Sequence, residues 1–240
     1  MNTIQFENKG NIKMIAHRGV SGLELENTCP AFVVAGVKSY YGIETDVHVT
    51  KDGKFIVVHD DDLKRIAGLD MSVEGSTFDE LRAVRLKDTD GKTERADLFL
   101  PSLDEYINIC KKYDKQAILE LKNEMKPHEI WGIAETIQRL GWFERTTFIS
   151  FAAKNLTALR EKFPTASAQY LTAKCSEEEM QFMIDNRLDA DLCGYCVTIE
   201  RVQRLHDNGL VVNVWTLDTL EQANLAKVAG VDMITSNILE

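Results

Sequence analysis

Two carboxylates spaced two residues apart open the chemistry of this sequence. Glu44 and Asp46 lie in a β-rich run, residues 43–49, and side chains in a strand alternate faces, so both carboxylates point the same way. Like charges sharing one patch raise each other's pKa, and a bound cation is the usual relief. The run therefore reads as half of a metal site. Lys51-Asp52-Gly53 follows, with an Asp-Gly pair suited to a tight turn, and a second β-rich run, residues 54–58, ends in His59-Asp60. A hairpin at that turn folds His59 back towards the carboxylates. An exposed acidic hairpin carrying a surface histidine would need the same local sequence, so the rest of the chain has to decide.

More polar residues stand at the ends of apolar runs. A short strand over 13–16 delivers His17-Arg18-Gly19, and the glycine marks a sharp exit from it. Residues 116–121 form another strand, and Glu120 and Lys122 share a face there as Glu44 and Asp46 do on theirs. Trp215 ends a later strand. His48 has the strand parity of Asp46, but a histidine hydrogen-bonded to a loop at the rim fits it better than a place in the pocket. His128 and His206 fall on predicted helices and read as solvated. Asp60 either orients His59 or caps the next segment, and Glu26 and Asn27 are placed to brace the carboxylates from behind.

The elements that must position these groups follow from pattern. Glu26-Asn27-Thr28-Cys29-Pro30 is a helix start, with Asn27 or Thr28 as cap and Pro30 in the first turn. Ser102 and Glu105 form a capping-box pair at the start of a helix reaching about residue 113. Beyond residue 116 strands and helices alternate: helix 127–140, strand 146–151, helix 154–162, strand 168–172, helix 176–186, strand 190–193, helix 198–208, strand 211–216, helix 219–229 and strand 233–235. With the strands at Met14, Ile43 and Ile118 this makes eight strands, each but the last followed by a helix. That count predicts a (β/α)8 TIM barrel with its site at the carboxyl-terminal ends of the strands. Residues 61–100 break the pattern and read as a small insertion after the second strand, over one end of a single domain spanning 1–240.

At 240 residues and 44% hydrophobic content the chain can bury a barrel-sized core. A net charge of −10 excludes the basic face that a nucleic-acid partner or an anionic membrane would need. No run approaches a membrane span and the first residues lack the apolar core of a secretory signal, so the expectation is a cytoplasmic protein. Five scattered cysteines do not suggest a disulfide framework, and Cys193-Gly-Tyr-Cys196 has redox spacing without the elements of a thioredoxin-like fold around it.

Taken together, Ala16-His17-Arg18-Gly19, Glu26-Asn27-Thr28, Ile43-Glu44-Thr45-Asp46-Val47, Thr50-Lys51-Asp52-Gly53, Val58-His59-Asp60, Leu119-Glu120-Leu121-Lys122 and Val214-Trp215-Thr216 resemble the glycerophosphodiester phosphodiesterase family. The resemblance runs from His17 almost to the C-terminus, and the order and spacing of the pieces carry it. It implies that Glu44, Asp46 and Glu120 hold one divalent cation, that Arg18 and Lys122 bind the substrate phosphate, that His17 and His59 act as acid and base, and that Trp215 lines the pocket. It implies metal-dependent hydrolysis of a small glycerophosphodiester to glycerol 3-phosphate and an alcohol. Three carboxylates are hard oxygen donors, which favours Mg2+ or Ca2+ over zinc. A lyase-type phospholipase giving a cyclic phosphate and a catalytically silent phosphodiester-binding protein are the alternatives. Self-association into a homo-oligomer stays open.

Two departures from the family pattern stand out. Leu25 occupies the place of a common Pro, and the end, Ile234-Thr235-Ser236-Asn237, lacks the common Thr-Asp, which is expected to remove a polar group near the rim and to alter substrate choice. The charged composition of 61–100 also favours water-soluble head groups over lysophospholipids.

Overall fold

The computed structural model describes residues 2–240. In chain order the elements are β1 (Lys13–Ala16), α1 (Cys29–Val37), β2 (Gly42–Val49), β3 (Phe55–Val57), α2 (Lys64–Ala67), α3 (Phe78–Arg82), α4 (Leu103–Lys112), β4 (Gln116–Leu121), α5 (Pro127–Arg139), β5 (Thr146–Ser150), α6 (Ala153–Lys162), β6 (Ser167–Thr172), α7 (Glu177–Asn186), β7 (Asp189–Cys193), α8 (Ile199–Asp207), β8 (Val212–Trp215), α9 (Leu220–Ala229) and β9 (Met233–Ser236). Eight of the strands are parallel neighbours in the order β1-β9-β8-β7-β6-β5-β4-β2, and β1 pairs with β2 to close the ring. The result is a (β/α)8 barrel. The ninth strand, β3, runs antiparallel to β2, with Val47 opposite Val57, and forms the predicted hairpin.

Strand alternation sorts the side chains. On β4, Ala117, Leu119 and Leu121 pack outward into the layer between sheet and helices, while Ile118 packs inside the barrel with Ile15, Ile149 and Leu171. Glu120 shares the parity of Ile118, and Glu44 and Asp46 alternate with the outward Ile43 and Val47, so all three carboxylates belong to the inner face. The register then sets Asp46 directly beside Glu120 on neighbouring strands.

The connections obey local chemistry. Thr28, not Asn27, caps α1, accepting from the Ala31 N–H, with Pro30 in the first turn. Asn27 is thereby free for other work. At α4 the Ser102 hydroxyl accepts from the Glu105 N–H and the Glu105 carboxylate accepts from the Ser102 N–H, as the capping-box spacing predicts.

The stretch after β3 differs from its sequence appearance. Although polar overall, it buries a cluster of its own, with Leu63, Ile66, Val73, Leu81, Leu86 and Leu98 packed against Ile56, Val58 and Leu100. These residues are spaced without helical or strand period, so no pattern announced them. Leu25 packs against this same cluster, which accounts for an apolar side chain at that position. Among the described residues no helix is long and apolar enough to cross a membrane.

Candidate active site

At the end of β1 the chain turns sharply through His17, Arg18 and Gly19. Gly19 has φ +75°, and a Cβ there would lie 2.7 Å from the Ala31 backbone, so only glycine fits. The turn lays the Arg18 N–H against Glu44 Oε2 at 2.8 Å, while the guanidinium donates to Glu26 Oε1 at 2.8 Å and sits 3.5 Å from Asp46 Oδ2. Arg18 thus faces two of the three carboxylates. Lys122 meets the cluster from the other side, 2.9 Å from Glu120 Oε1 and 3.6 Å from Asp46 Oδ1.

Glu44, Asp46 and Glu120 are buried, and each offers an oxygen within 4.8 Å of the others. Burial, then the neighbouring Asp46 charge, pushes Glu44 well above the usual carboxylate range, and the same two causes lift Glu120 to about 8. Burial would raise Asp46 too, but Arg18 and Lys122 outweigh it and hold that carboxyl below its ordinary value. Asp46 Oδ2 accepts from Asn27 Nδ2 at 2.7 Å, whereas Oδ1 is buried with no hydrogen-bond donor. A donor-poor cluster of three hard oxygen ligands, two of them reluctant to ionise, fits a divalent cation.

Both predicted histidines reach the site. His17 has its Nδ1 2.7 Å from Asn237 Oδ1 and its Nε2 3.9 Å from Glu44. Burial and then the Arg18 charge lower its pKa, which favours the neutral ring. Asn237 Nδ2 donates to Asp218 Oδ2 at 2.6 Å, so the amide is oriented with its oxygen towards the ring. His17 Nδ1 must then carry the hydrogen, and Nε2 is left bare. The expectation that Ser236-Asn237 strips a polar group from the rim is therefore corrected. Parallel pairing of β1 with β9 sets Ala16 beside Ser236, and the next residue of each strand meets the other.

His59 follows β3, with Nδ1 2.7 Å from Asp60 Oδ1. Asp60 also accepts from Arg65 Nε at 2.7 Å, and Arg65 donates to Glu26, the partner of Arg18. Against the opposing effect of burial, Arg65 and His59 keep the Asp60 carboxyl at about 2. Asp60 orients the imidazole, and a residue of the inserted stretch ties both sides of the site together.

His17, Arg18, Glu44, His59, Glu120 and Trp215 line one cavity at the carboxyl-terminal mouth of the barrel. Asp46 stands beside Glu120 across the β2–β4 pairing, and Lys122 lines the adjoining cleft. His48 is fully buried and turned away, with Nδ1 3.1 Å from Glu74 and Nε2 against the His59 carbonyl. His206 is 2.9 Å from Asp232, far from the mouth in the sequence of elements. Cys193 and Cys196 are free thiols. Five lining residues escaped the sequence reading: the apolar Ile149 and Leu171, Phe151, which meets Trp215 edge to face at 5.6 Å, and the inward Asp191 and Thr235. Asp191 is buried with Oδ1 lacking a partner, and burial and then Glu120 push its carboxyl well up. Its position on β7 with inward parity was the available signal.

The barrel thus gathers carboxylates, imidazoles and cations at its carboxyl-terminal mouth, where enzymes of this fold keep their active sites. The family itself follows from the sequence. The model of the glycerophosphoryl diester phosphodiesterase family matches residues 17–239, and the chain belongs to that family. It is similar to a glycerophosphodiester phosphodiesterase of Bacillus altitudinis, 28% identical over 228 residues that cover 92% of this chain and 93% of the relative. Among solved structures, a glycerophosphodiester phosphodiesterase from Thermotoga maritima superposes with a TM-score of 0.75 at 28% identity, covering 94% of each chain. A phosphodiesterase from Oleispira antarctica, solved with the product sn-glycerol-3-phosphate, shares the fold with a TM-score of 0.86 at 23% identity, over 94% of this chain and 92% of that one.

Proposed function

We propose that this protein hydrolyses glycerophosphodiesters to glycerol 3-phosphate and an alcohol, with Glu44, Asp46 and Glu120 holding one divalent cation, Mg2+ or Ca2+. The observation that carries this reading is the meeting of those carboxylates with His17, Arg18 and His59 around one cavity, in a chain of this family. The product bound to the Oleispira antarctica relative supports the substrate class. Bound at the triad, a divalent cation supplies positive charge to the phosphate as the ester bond breaks.

The chain's own residues do the rest. Arg18 and Lys122, on either side of the carboxylates, hold the phosphate oxygens and set the phosphorus between the two imidazoles. His17, neutral and with Nε2 bare, takes the proton of the attacking hydroxyl. His59, which when protonated forms an ion pair with Asp60, delivers a proton to the departing alcohol. Trp215 walls the pocket and excludes water from one side.

Release of glycerol 3-phosphate from glycerophosphocholine, measured with and without a chelator, tests the reading. Activity should vanish on chelation and return with Mg2+ or Ca2+. Full turnover in chelator would sink the metal assignment, a stable cyclic phosphate would turn the reading to a lyase, and binding without turnover would make the protein a sensor.

A further inference from the structure

The cavity at the barrel mouth has a far wall that the reaction above leaves idle. β7, which carries the inward Asp191, is four strands from β2 in either direction around the ring, so Asp191 stands opposite Glu44 across the barrel. Both residues line the same cavity. Asp191 is 2% exposed, and its Oδ1 is buried with no hydrogen-bond donor. Folding removes that oxygen from water without supplying a partner, an arrangement that costs stability and that a ligand can relieve.

The polar groups around it are already committed. Asn213, beside Asp191 on β8, donates from Nδ2 to Thr235 Oγ1 at 3.0 Å, and its Oδ1 accepts from the Thr235 hydroxyl and from the Val214 N–H. The Trp215 indole N–H donates to the Asp191 carbonyl oxygen at 3.1 Å, so the ring meets the cavity with carbon alone. Leu171, paired with Asp191 in register, and Ile149 complete an apolar surround. The Asp191 carboxyl is left to meet whatever enters.

The depth of the groups decides which part of a substrate that is. His59, assigned to the departing alcohol, has 33% of its side chain exposed, whereas His17 has 18% and Asp191 lies deeper still. The alcohol therefore leaves outward past His59, and the part that stays on the phosphate points inward to Asp191. In a glycerophosphodiester that part is glycerol, with carbons for the apolar walls and free hydroxyls for the carboxyl. Burial and then the charge of Glu120 favour the protonated carboxyl, which both donates and accepts and so suits a hydroxyl better than a cationic head group.

We propose that Asp191 is a specificity-determining residue that hydrogen-bonds a free hydroxyl of the glycerol moiety and so selects glycerophosphodiesters over diesters of plain alcohols. The inference rests on the proposed phosphodiesterase reading. It adds a determinant of choice to that reaction and changes none of its steps. A site built to hydrogen-bond a hydroxyl rejects the analogue that lacks it, because its buried polar group is then left unpaired.

The test compares glycerol 3-phosphate with propyl phosphate, which lacks both hydroxyls, as competitive inhibitors of glycerophosphocholine hydrolysis with Mg2+ supplied. Wild type should hold glycerol 3-phosphate more tightly by about ten-fold or better. Asp191→Ala should shrink that gap to about three-fold or less by weakening glycerol 3-phosphate far more than propyl phosphate. Asp191→Leu, apolar like the neighbouring Leu171, should do the same where alanine leaves the barrel loose. Asp191→Asn, which keeps an acceptor oxygen and a donor in place, should keep most of the gap. Equal inhibition of the wild type by the two phosphates overturns the assignment and needs no variant. So does a gap that survives both Asp191→Ala and Asp191→Leu, or a loss that falls equally on the two ligands, as a structural role would produce. If glycerophosphocholine itself is not hydrolysed, the phosphodiesterase reading fails instead. The same two phosphates are then compared by quenching of tryptophan fluorescence, where a gap closed by Asp191→Ala supports the proposal and equal affinities overturn it.

Discussion

Replacing Glu120 with glutamine removes one carboxylate from a buried, mutually repelling cluster, and the effect on stability should depend on pH in a fixed direction. Glu120 lies beside Asp46 across the β2–β4 pairing, and its pKa is lifted from 4.5 to about 8 even with Lys122 2.9 Å away. The folded protein therefore holds this proton more tightly than the unfolded chain does. Stability from that source is complete below the unfolded value and is lost as pH rises towards 8. At 1.36 kcal/mol per unit the whole shift corresponds to about 5 kcal/mol. Without divalent cations, wild type and Glu120→Gln should be similarly stable near the acid end. The variant should pull ahead by a few kcal/mol at the alkaline end, which is large against the total stability of most domains. Urea unfolding in chelator at about pH 5 and about pH 8 measures the difference. Adding Mg2+ or Ca2+ at the higher pH should restore the wild type and leave the variant unmoved. Parallel pH profiles for the two proteins would refute the picture of a strained acidic cluster awaiting a cation.

Asp46→Asn and Glu44→Gln should each remove most divalent-dependent turnover while leaving the far-ultraviolet circular dichroism unchanged; unaltered metal dependence in either would remove that residue from the ligand set. His17→Ala and His59→Ala should each lower kcat on glycerophosphocholine by roughly 10²–10⁴-fold. With a p-nitrophenyl leaving group, which needs no proton, only His59→Ala should recover, and equal recovery would cancel the split of roles. Asn237→Leu, which removes the acceptor from His17 Nδ1, should lower kcat more than it raises KM. Nitrogen-15 spectra of the His17 ring should show loss of the Nδ1–H tautomer, and an unchanged ring signature would leave Asn237 with a merely structural part.

Much of the site could be read from the chain because it rests on short-range rules. Glu44 and Asp46 share a face by strand alternation alone, and the Asp-Gly turn returns His59 to them within a single hairpin. Eight alternating units closed into the expected ring, which brought Glu120 and Lys122 alongside. Asn237 was harder, since it meets His17 across 220 residues of sequence. Only the closure of the last strand on the first makes them neighbours. The second apolar cluster had no signal at all, because Leu63, Leu81 and Leu98 lack a period.

The inserted stretch packs its own leucines and valines, yet it reaches the barrel's chemistry through the guanidinium of Arg65, which grips Asp60 with one edge and Glu26 with the other. A piece with a private interior can be exchanged between homologues as a block. Its seam with the host also carries Arg95 on Glu24, Arg82 on Glu105 and Glu74 on His48, but it is Arg65 that joins the partner of His59 to the partner of Arg18. Loop grafting in this chain therefore has a simple rule. A donor segment that supplies an arginine at that seam keeps His59 aimed and Arg18 anchored, and one that lacks it loosens both at a stroke.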